Sequence, residues 1–266
     1  MSDVQVLVAT MNQQDHELIN KMNIKTDAIV GNQCDENSIE NLTIEDKLIT
    51  YLNFKEKGVG LNRNNALMRA DRPICLIADD DMNYVDGYED VVKEKFAKHK
   101  DADVIIFNIG EENPSRYINK KEFRVRWHNF MRYGAVRIAF RTKAIHFNNI
   151  YFNLEFGGGA KYSHGEDTLF LCDCLKKGLK IIAVPEVIAN LKEDRESSWF
   201  KGYTEKYFYD KGILFYNISK TWSRLLCLQD AIRHKGQYKE AGNWYSVYKK
   251  MIKGIKMFKV GMEERG

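Results

Sequence analysis

Proline is scarce in this chain, with three in 266 residues. No proline-rich linker divides it, and this length builds one large domain or a domain with an appendage. Cysteine is sparse and odd in number: Cys34, Cys75, Cys172, Cys174 and Cys227 follow no framework spacing. That excludes a disulfide-stapled scaffold and points to reduced thiols and a cytoplasmic setting. Cys172 and Cys174 lie two apart in a helical pattern, so they diverge and read as core rather than as a metal clip. Long apolar runs are missing. None approaches the ~20 residues of a membrane span, and polar residues interrupt the start by Asp3, so neither a spanning helix nor a signal peptide is expected. Internal repeats and low-complexity tracts are absent too.

What remains is the composition of a soluble globular protein, 44% hydrophobic and 29% charged. The net charge of +4 is unevenly placed: residues 196–266 carry 14 Lys/Arg against 7 Asp/Glu, leaving the rest slightly acidic. The chain thus divides into residues 1–195 and a basic extension, 196–266.

Apolar runs at Val4–Ala9, Asp27–Val30, Ile74–Ala78, Val104–Phe107, Ala135–Phe140 and Leu179–Val184 read as strands, the last ending at Pro185. Helical patterns fall over 15–22, Asn62–Ala70, Gly87–His99 and the segment opened by Gly165, with further helices after Glu196. Leu42–Tyr51 fits neither pattern cleanly. Strands alternating with helices imply parallel βαβ units, and hence a mainly parallel α/β sheet flanked by helices.

The densest chemistry is Asp79-Asp80-Asp81, directly after the run Ile74–Ala78. Adjacent carboxylates repel, and two roles justify them at a strand end: holding a divalent cation or forming a solvated turn. Open α/β sheets bind ligands beyond the carboxyl ends of their strands, which favours the metal. Mg²⁺ and Mn²⁺ take oxygen ligands, often one or two carboxylates completed by water and phosphate. Alternate residues Asp79 and Asp81 reach the same side of an extended segment and form the expected clamp.

Two glycine-led helix starts accompany it. Gly60-Leu61-Asn62-Arg63-Asn64-Asn65-Ala66-Leu67 offers backbone N–H groups and Arg63 to a diphosphate, or else a helix capped by Asn62 with a surface arginine. Ser163-His164-Gly165-Glu166-Asp167 follows the triple glycine Gly157-Gly158-Gly159. Carboxylates there suit a helix N-terminus, and one of them suits a general base for a hydroxyl acceptor.

The succession Val6-Leu7-Val8-Ala9-Thr10-Met11-Asn12, the Gly60–Leu67 segment, Asp79-Asp80-Asp81 and Gly165-Glu166-Asp167 resembles the family 2 glycosyltransferases of the GT-A fold, over roughly residues 1–190. The resemblance implies inverting transfer of a sugar from a nucleoside-diphosphate sugar, UDP-linked, to a hydroxyl of a glycan or lipid-linked saccharide, with Mn²⁺ or Mg²⁺. It implies a nucleotide-sugar half over 1–110 and an acceptor half over 111–195. Thr10, Asn12, Asn32, Arg63, Asp79 and Asp80 fall on the donor side, Asp79 and Asp81 on the metal, and Asp167 on the base with Glu166 beside it. Within the triplet, alternation turns Asp80 away from Asp79 and Asp81. Departures are visible. Relatives often end the second strand in adjacent aspartates, where this chain has Gly31 and Asn32, whose amide oxygen is the expected substitute base reader. Some relatives carry a metal-binding histidine after the last strand, where this chain has Asn190-Leu191-Lys192. Glu196-Ser197-Ser198-Trp199 is similar to acceptor-side segments of relatives.

Trp244, Tyr248, Met251, Ile255 and Phe258 form an apolar stripe at helical spacing, with Lys249, Lys250, Lys253 and Lys256 around it. Two readings stand: peripheral docking on anionic lipid, and packing on its own domain or on a second subunit. No nucleic-acid recognition motif accompanies the basic charge, so no nucleic-acid partner is expected. Two other functions compete: a nucleotidyltransferase, disfavoured because Thr10-Met11-Asn12-Gln13-Gln14 lacks glycine and cation, and a non-catalytic nucleotide-sugar or glycan binder.

Overall fold

The structure, a computed structural model, describes residues 2–111, 116–192 and 202–263. Glu196–Trp199 lie outside the described residues. Among the described residues, ten strands form one sheet: β1 (Val4–Met11), β2 (Asp27–Gln33), β3 (Ser38–Ile44), β4 (Lys47–Phe54), β5 (Ile74–Asp79), β6 (Met82–Tyr84), β7 (Val104–Gly110), β8 (Phe123–Val125), β9 (Ile138–Arg141) and β10 (Ile181–Leu191). The helices are α1 (Leu18–Lys21), α2 (Val59–Leu67), α3 (Tyr88–Lys98), α4 (Thr142–Phe147), α5 (Glu166–Lys176), α6 (Glu205–Ile218), α7 (Ser223–Arg233) and α8 (Trp244–Glu263).

Strand order is β3-β4-β2-β1-β5-β9-β7-β10-β6, with β8 beside β10. The centre is parallel: β1 pairs with β2 and β5, and β2 with β4. On the other side of β5, β9 runs antiparallel between β5 and β7. Successive side chains of a strand face opposite sides, and the sheet separates two apolar layers accordingly. Leu7, Ile29, Cys75, Ile77 and Ile106 face a core shared with α2, α4, α5 and the C-terminal helices. Val6, Val8, Val30, Leu76 and Phe107 face α1 and α3. The central strands β1, β2, β5 and β7 are thus buried on both faces, as their continuous apolar runs require.

Several element boundaries differ from the sequence expectation. The ambiguous Leu42–Tyr51 stretch belongs to a hairpin, β3–β4, which extends the sheet beyond β2. Its two-residue turn is Glu45-Asp46, with φ of 48° and 66°, the geometry usually supplied by Asn-Gly. Only Ile138 onward of the 135–140 run is strand, because Ala135–Arg137 form a 3₁₀ turn. Pro185 does not end β10. The strand passes it through irregular register between Ala183 and Val187, where a residue without an N–H is tolerated.

The C-terminal stripe is largely used inside the molecule. Met251 is fully buried and Ile255 is 4% exposed, while Tyr248 and Phe258 pack against the same core as α2 and α5. Gly212 of α6 lies against the Met251 carbonyl, where a Cβ would come within 2.1 Å. Gly254 of α8 meets the Tyr209 carbonyl in the same way, at 2.4 Å. Of the two readings of this stripe, packing on its own domain is the one realised. No helix among the described residues is long and apolar enough to cross a membrane.

Candidate active site

Because β1, β2 and β5 are parallel, their carboxyl ends arrive at one edge, with Ala9 opposite Asp79 and Thr10 opposite Asn32. Thr10 Oγ1 donates to Asp80 Oδ2 at 2.6 Å and accepts from Gln13 Nε2 at 2.9 Å. Asp80 therefore turns towards β1. Asn12 is exposed at φ 54°, and its N–H donates to the Gln33 carbonyl at 2.9 Å.

Asn32 is 3% exposed and fully engaged. Its Oδ1 accepts from Gln13 N at 3.0 Å, and its Nδ2 donates to Gln13 O at 3.1 Å and to Asn53 Oδ1 at 2.8 Å. The amide oxygen expected to read a base is held by the loop after β1, so Asn32 shapes that loop. A cavity of about 390 Å³ opens beside it, with Asn12, Gln13, Asn32, Tyr51 and Asn53 among its walls. Tyr51 and Asn53 come from β4, which the sequence pattern did not resolve. The departure at Gly31 has a physical reason. Asn62 Nδ2 bridges the carbonyls of Thr10 at 3.1 Å and Gly31 at 2.8 Å. A Cβ at Gly31 would come within 1.9 Å of the Asn62 side chain, leaving no room for an aspartate.

Helix α2 begins at Val59, so Asn62 lies inside it and is not its cap. The polar residues of α2 face inward and act as clamps. Asn64 exchanges two 2.8 Å hydrogen bonds with the Phe152 backbone. Arg63, 4% exposed, donates from Nη2 to Asp79 Oδ1 at 2.8 Å and from Nη1 to Glu166 Oε1 at 2.9 Å. Burial opposes its charge, but the two carboxylates outweigh that and raise its pKa. Arg63 is thus neither a surface arginine nor an open fork for phosphate; it bridges the acidic strand end to the acidic helix start.

The triple glycine closes this bridge from the other side. Gly158 O accepts from Val59 N, at the start of α2, at 2.9 Å. Gly157, at φ 102°, leaves no room for a side chain: a Cβ would lie 2.6 Å from Val59 Cγ1 and 2.7 Å from Glu166 Oε2. Asp167 follows, half-buried, its Oδ1 accepting from Thr168 N at 2.6 Å. Burial, reinforced by the charge of Glu166, pushes the Asp167 carboxyl up to about 7. His164 stacks on Tyr207 at 4.6 Å and pairs through Nδ1 with Ser163 Oγ at 3.0 Å. Burial and then Lys211 push it down to about 4, so it is a neutral packing group at physiological pH.

Among the described residues, no three His, Cys, Asp or Glu side chains converge as a ready-made metal cage. The acidic strand end still fits a hard cation. The Asp79 side chain remains 37% exposed while bound to Arg63, and Asp81 stands at the turn into β6. Lys192 N donates to the Asp81 carbonyl at 2.9 Å. The backbone just after β10 therefore lies beside the triplet. One or two carboxylates are the usual protein share of a Mg²⁺ or Mn²⁺ site completed by phosphate.

No family model matches the sequence, and no curated protein matches it. Solved structures do. Residues 1–349 of S. aureus TarS in complex with UDP-GlcNAc superpose with a TM-score of 0.65 at 17% identity, covering 89% of this chain and 73% of that one. The same TarS fragment in complex with UDP gives 0.60 at 15% identity, covering 98% and 92%. A longer TarS structure gives 0.62 at 14%, covering 94% of this chain and 55% of that chain. The chain has the GT-A fold, with a mixed α/β sheet flanked by helices and a helical C-terminal part.

Proposed function

We propose that this chain is an inverting glycosyltransferase that moves a sugar from a nucleoside-diphosphate sugar to an acceptor hydroxyl of a glycan or lipid-linked saccharide. The observation that carries the reading is the Glu166–Arg63–Asp79 bridge, at 2.9 and 2.8 Å, which ties the acidic strand terminus to the helix start where burial and the charge of Glu166 raise the Asp167 carboxyl. A base poised near the working pH is what deprotonation of a hydroxyl asks for. The shared fold with TarS, seen with UDP-GlcNAc and with UDP, makes a UDP-sugar the first donor to test.

In this reading the base and ribose lie in the cavity walled by Asn12, Gln13 and Tyr51, with residues 1–110 supplying the donor half and 111–195 the acceptor half. Asp167 accepts the proton of the acceptor hydroxyl while that oxygen forms a bond to the anomeric carbon. The bond from that carbon to the diphosphate breaks, and the electron pair leaves with the nucleoside diphosphate. A single displacement inverts the anomeric centre. Asp79 and Asp81 would hold a Mn²⁺ or Mg²⁺ ion, which when bound neutralises charge on the leaving diphosphate. Arg63 keeps the Asp79 and Glu166 carboxylates at fixed separation, so the two ends of the reaction are held in one frame.

A panel of nucleotide sugars, assayed for release of the nucleoside diphosphate with and without Mn²⁺, tests the proposal. Release from a UDP-sugar that depends on the cation supports it. Tight UDP binding with no turnover of any donor, even with varied sugar acceptors, would instead identify a binding protein on this fold.

A further inference from the structure

Helix α7 carries a feature unrelated to the candidate site. Ser223, Cys227, Asp230 and Ala231 form its buried side. The opposite side presents Trp222 at 62%, Leu225 at 54% and Ile232 at 49% exposure, an apolar row in which Gln229 is the polar member. Spacings of three, four and three residues place these four side chains on one face. Trp222, at the helix start, is amphipathic and suits a water–hydrocarbon boundary.

The surroundings of this face carry one sign of charge. Lys220, Arg224, Arg233, Lys235 and Lys239 are all exposed along residues 220–239, and the first exposed acid, Glu240, comes only after the helix and its following turn. The acid inside α7, Asp230, is 8% exposed and already neutralised by Lys211 at 3.0 Å. Among the described residues, none of Lys220, Arg224, Arg233 or Lys235 has a carboxylate partner. A row of exposed apolar side chains flanked by uncompensated cations matches a surface that is apolar below and anionic at its boundary. An acidic protein groove would match the charge but does not call for an exposed Trp at the helix end, and a second copy of the chain would oppose cation to cation.

We propose that α7, and not the buried stripe of α8, is the face by which this protein docks on an anionic lipid surface. The helix lies in the boundary plane, with Trp222, Leu225 and Ile232 inserted and the flanking Lys and Arg side chains on the lipid phosphates. The proposal does not depend on the catalytic reading.

The test is co-sedimentation of the full 266-residue chain with vesicles of phosphatidylcholine alone and of phosphatidylcholine with about one-third phosphatidylglycerol. Binding to the anionic vesicles at least tenfold above the neutral ones, weakened by raised salt, is the expected result. Trp222→Glu with Leu225→Glu should reduce that binding tenfold or more, and Arg224→Glu with Arg233→Glu should do the same. Both variants should keep the native circular dichroism spectrum and UDP affinity, because every altered side chain is exposed and outside the site. Absence of vesicle binding, or binding unchanged in both variants, overturns the proposal. So does a concentration-dependent dimer that the Trp222/Leu225 variant abolishes, because the face would then be a subunit contact.

Discussion

Arg63 and Glu166 are 103 positions apart in the chain, and their side chains meet at 2.9 Å. The same guanidinium holds Asp79 at 2.8 Å. One buried cation therefore joins the acidic strand end after β5 to the acidic start of α5. Taking a charge out of water is costly and is offset only while both carboxylates stay in place.

Removing that cation has a definite consequence. Arg63→Ala leaves Glu166, 13% exposed at its side chain, facing Asp167 without compensation. The expected loss of stability is roughly 3–5 kcal/mol, as for other half-removed buried ion pairs, with loss of donor turnover. Arg63→Lys keeps the charge but offers a single ammonium in place of a planar fork, so it should recover part of the stability and little of the turnover. Urea unfolding and donor hydrolysis measured on both variants check this. Wild-type stability in Arg63→Ala would show that the bridge does not hold the site together.

The pH dependence follows from Asp167. Its folded-state pKa of about 7 lies above the ordinary 3.8, chiefly through burial. Turnover needs the ionised form, so kcat/KM should rise with pH and level off above about 7. Stability runs the other way. Between about 4 and 7 the folded protein holds a proton that the unfolded chain has released, so stability falls as pH rises through that window. Asp167→Asn should flatten both profiles. A turnover profile that keeps its rise near pH 7 in that variant would assign the titration to another group.

Gly157 offers a steric test. Its φ is 102°, and a Cβ there would stand within 2.7 Å of both Val59 and Glu166, so Gly157→Ala must move the glycine loop or Glu166. Backbone strain of about 1–3 kcal/mol is expected, together with a turnover loss larger than that of Gly178→Ala. Gly178 also has positive φ, at 79°, but a Cβ there meets nothing within 4 Å. Equal behaviour of the two variants would deny the close approach any role in the site.

Much of the frame is legible in the chain. The apolar runs of β1, β2, β5 and β7 are visible because they are buried on both faces, and the carboxylates stand out because charge rarely follows such runs. Local pattern does not contain the rest. The β3–β4 hairpin turns at Glu45-Asp46 without the glycine that announces such a turn, and its outer strand β3 alternates between half-buried and exposed residues. Asn62, Arg63 and Asn64 read as a capped, anion-binding helix start because their partners, Thr10, Gly31, Asp79, Phe152 and Glu166, lie far away in sequence. The stripe on α8 is apolar by spacing alone, but only packing against Gly212 and its neighbours decides which way it faces.

The proposed cation would rest on the acidic triplet. Asp81→Ala should abolish the Mn²⁺-dependent part of UDP-sugar binding, while Asp80→Ala, which loosens Thr10 at 2.6 Å, should weaken nucleotide binding with and without the cation. Titration calorimetry with UDP in the presence of Mn²⁺ or of a chelator separates the two effects. Equal Mn²⁺ enhancement in wild type and Asp81→Ala would remove Asp81 from the cation site.

The most direct test of the central claim measures binding and turnover together in Asp167→Asn, with the UDP-sugar that the wild type turns over. The predicted result is donor affinity within about threefold of wild type and transfer reduced about 10²–10⁴-fold, the range for loss of a general base. Transfer at the wild-type rate would contradict the assignment of Asp167 as the base that activates the acceptor.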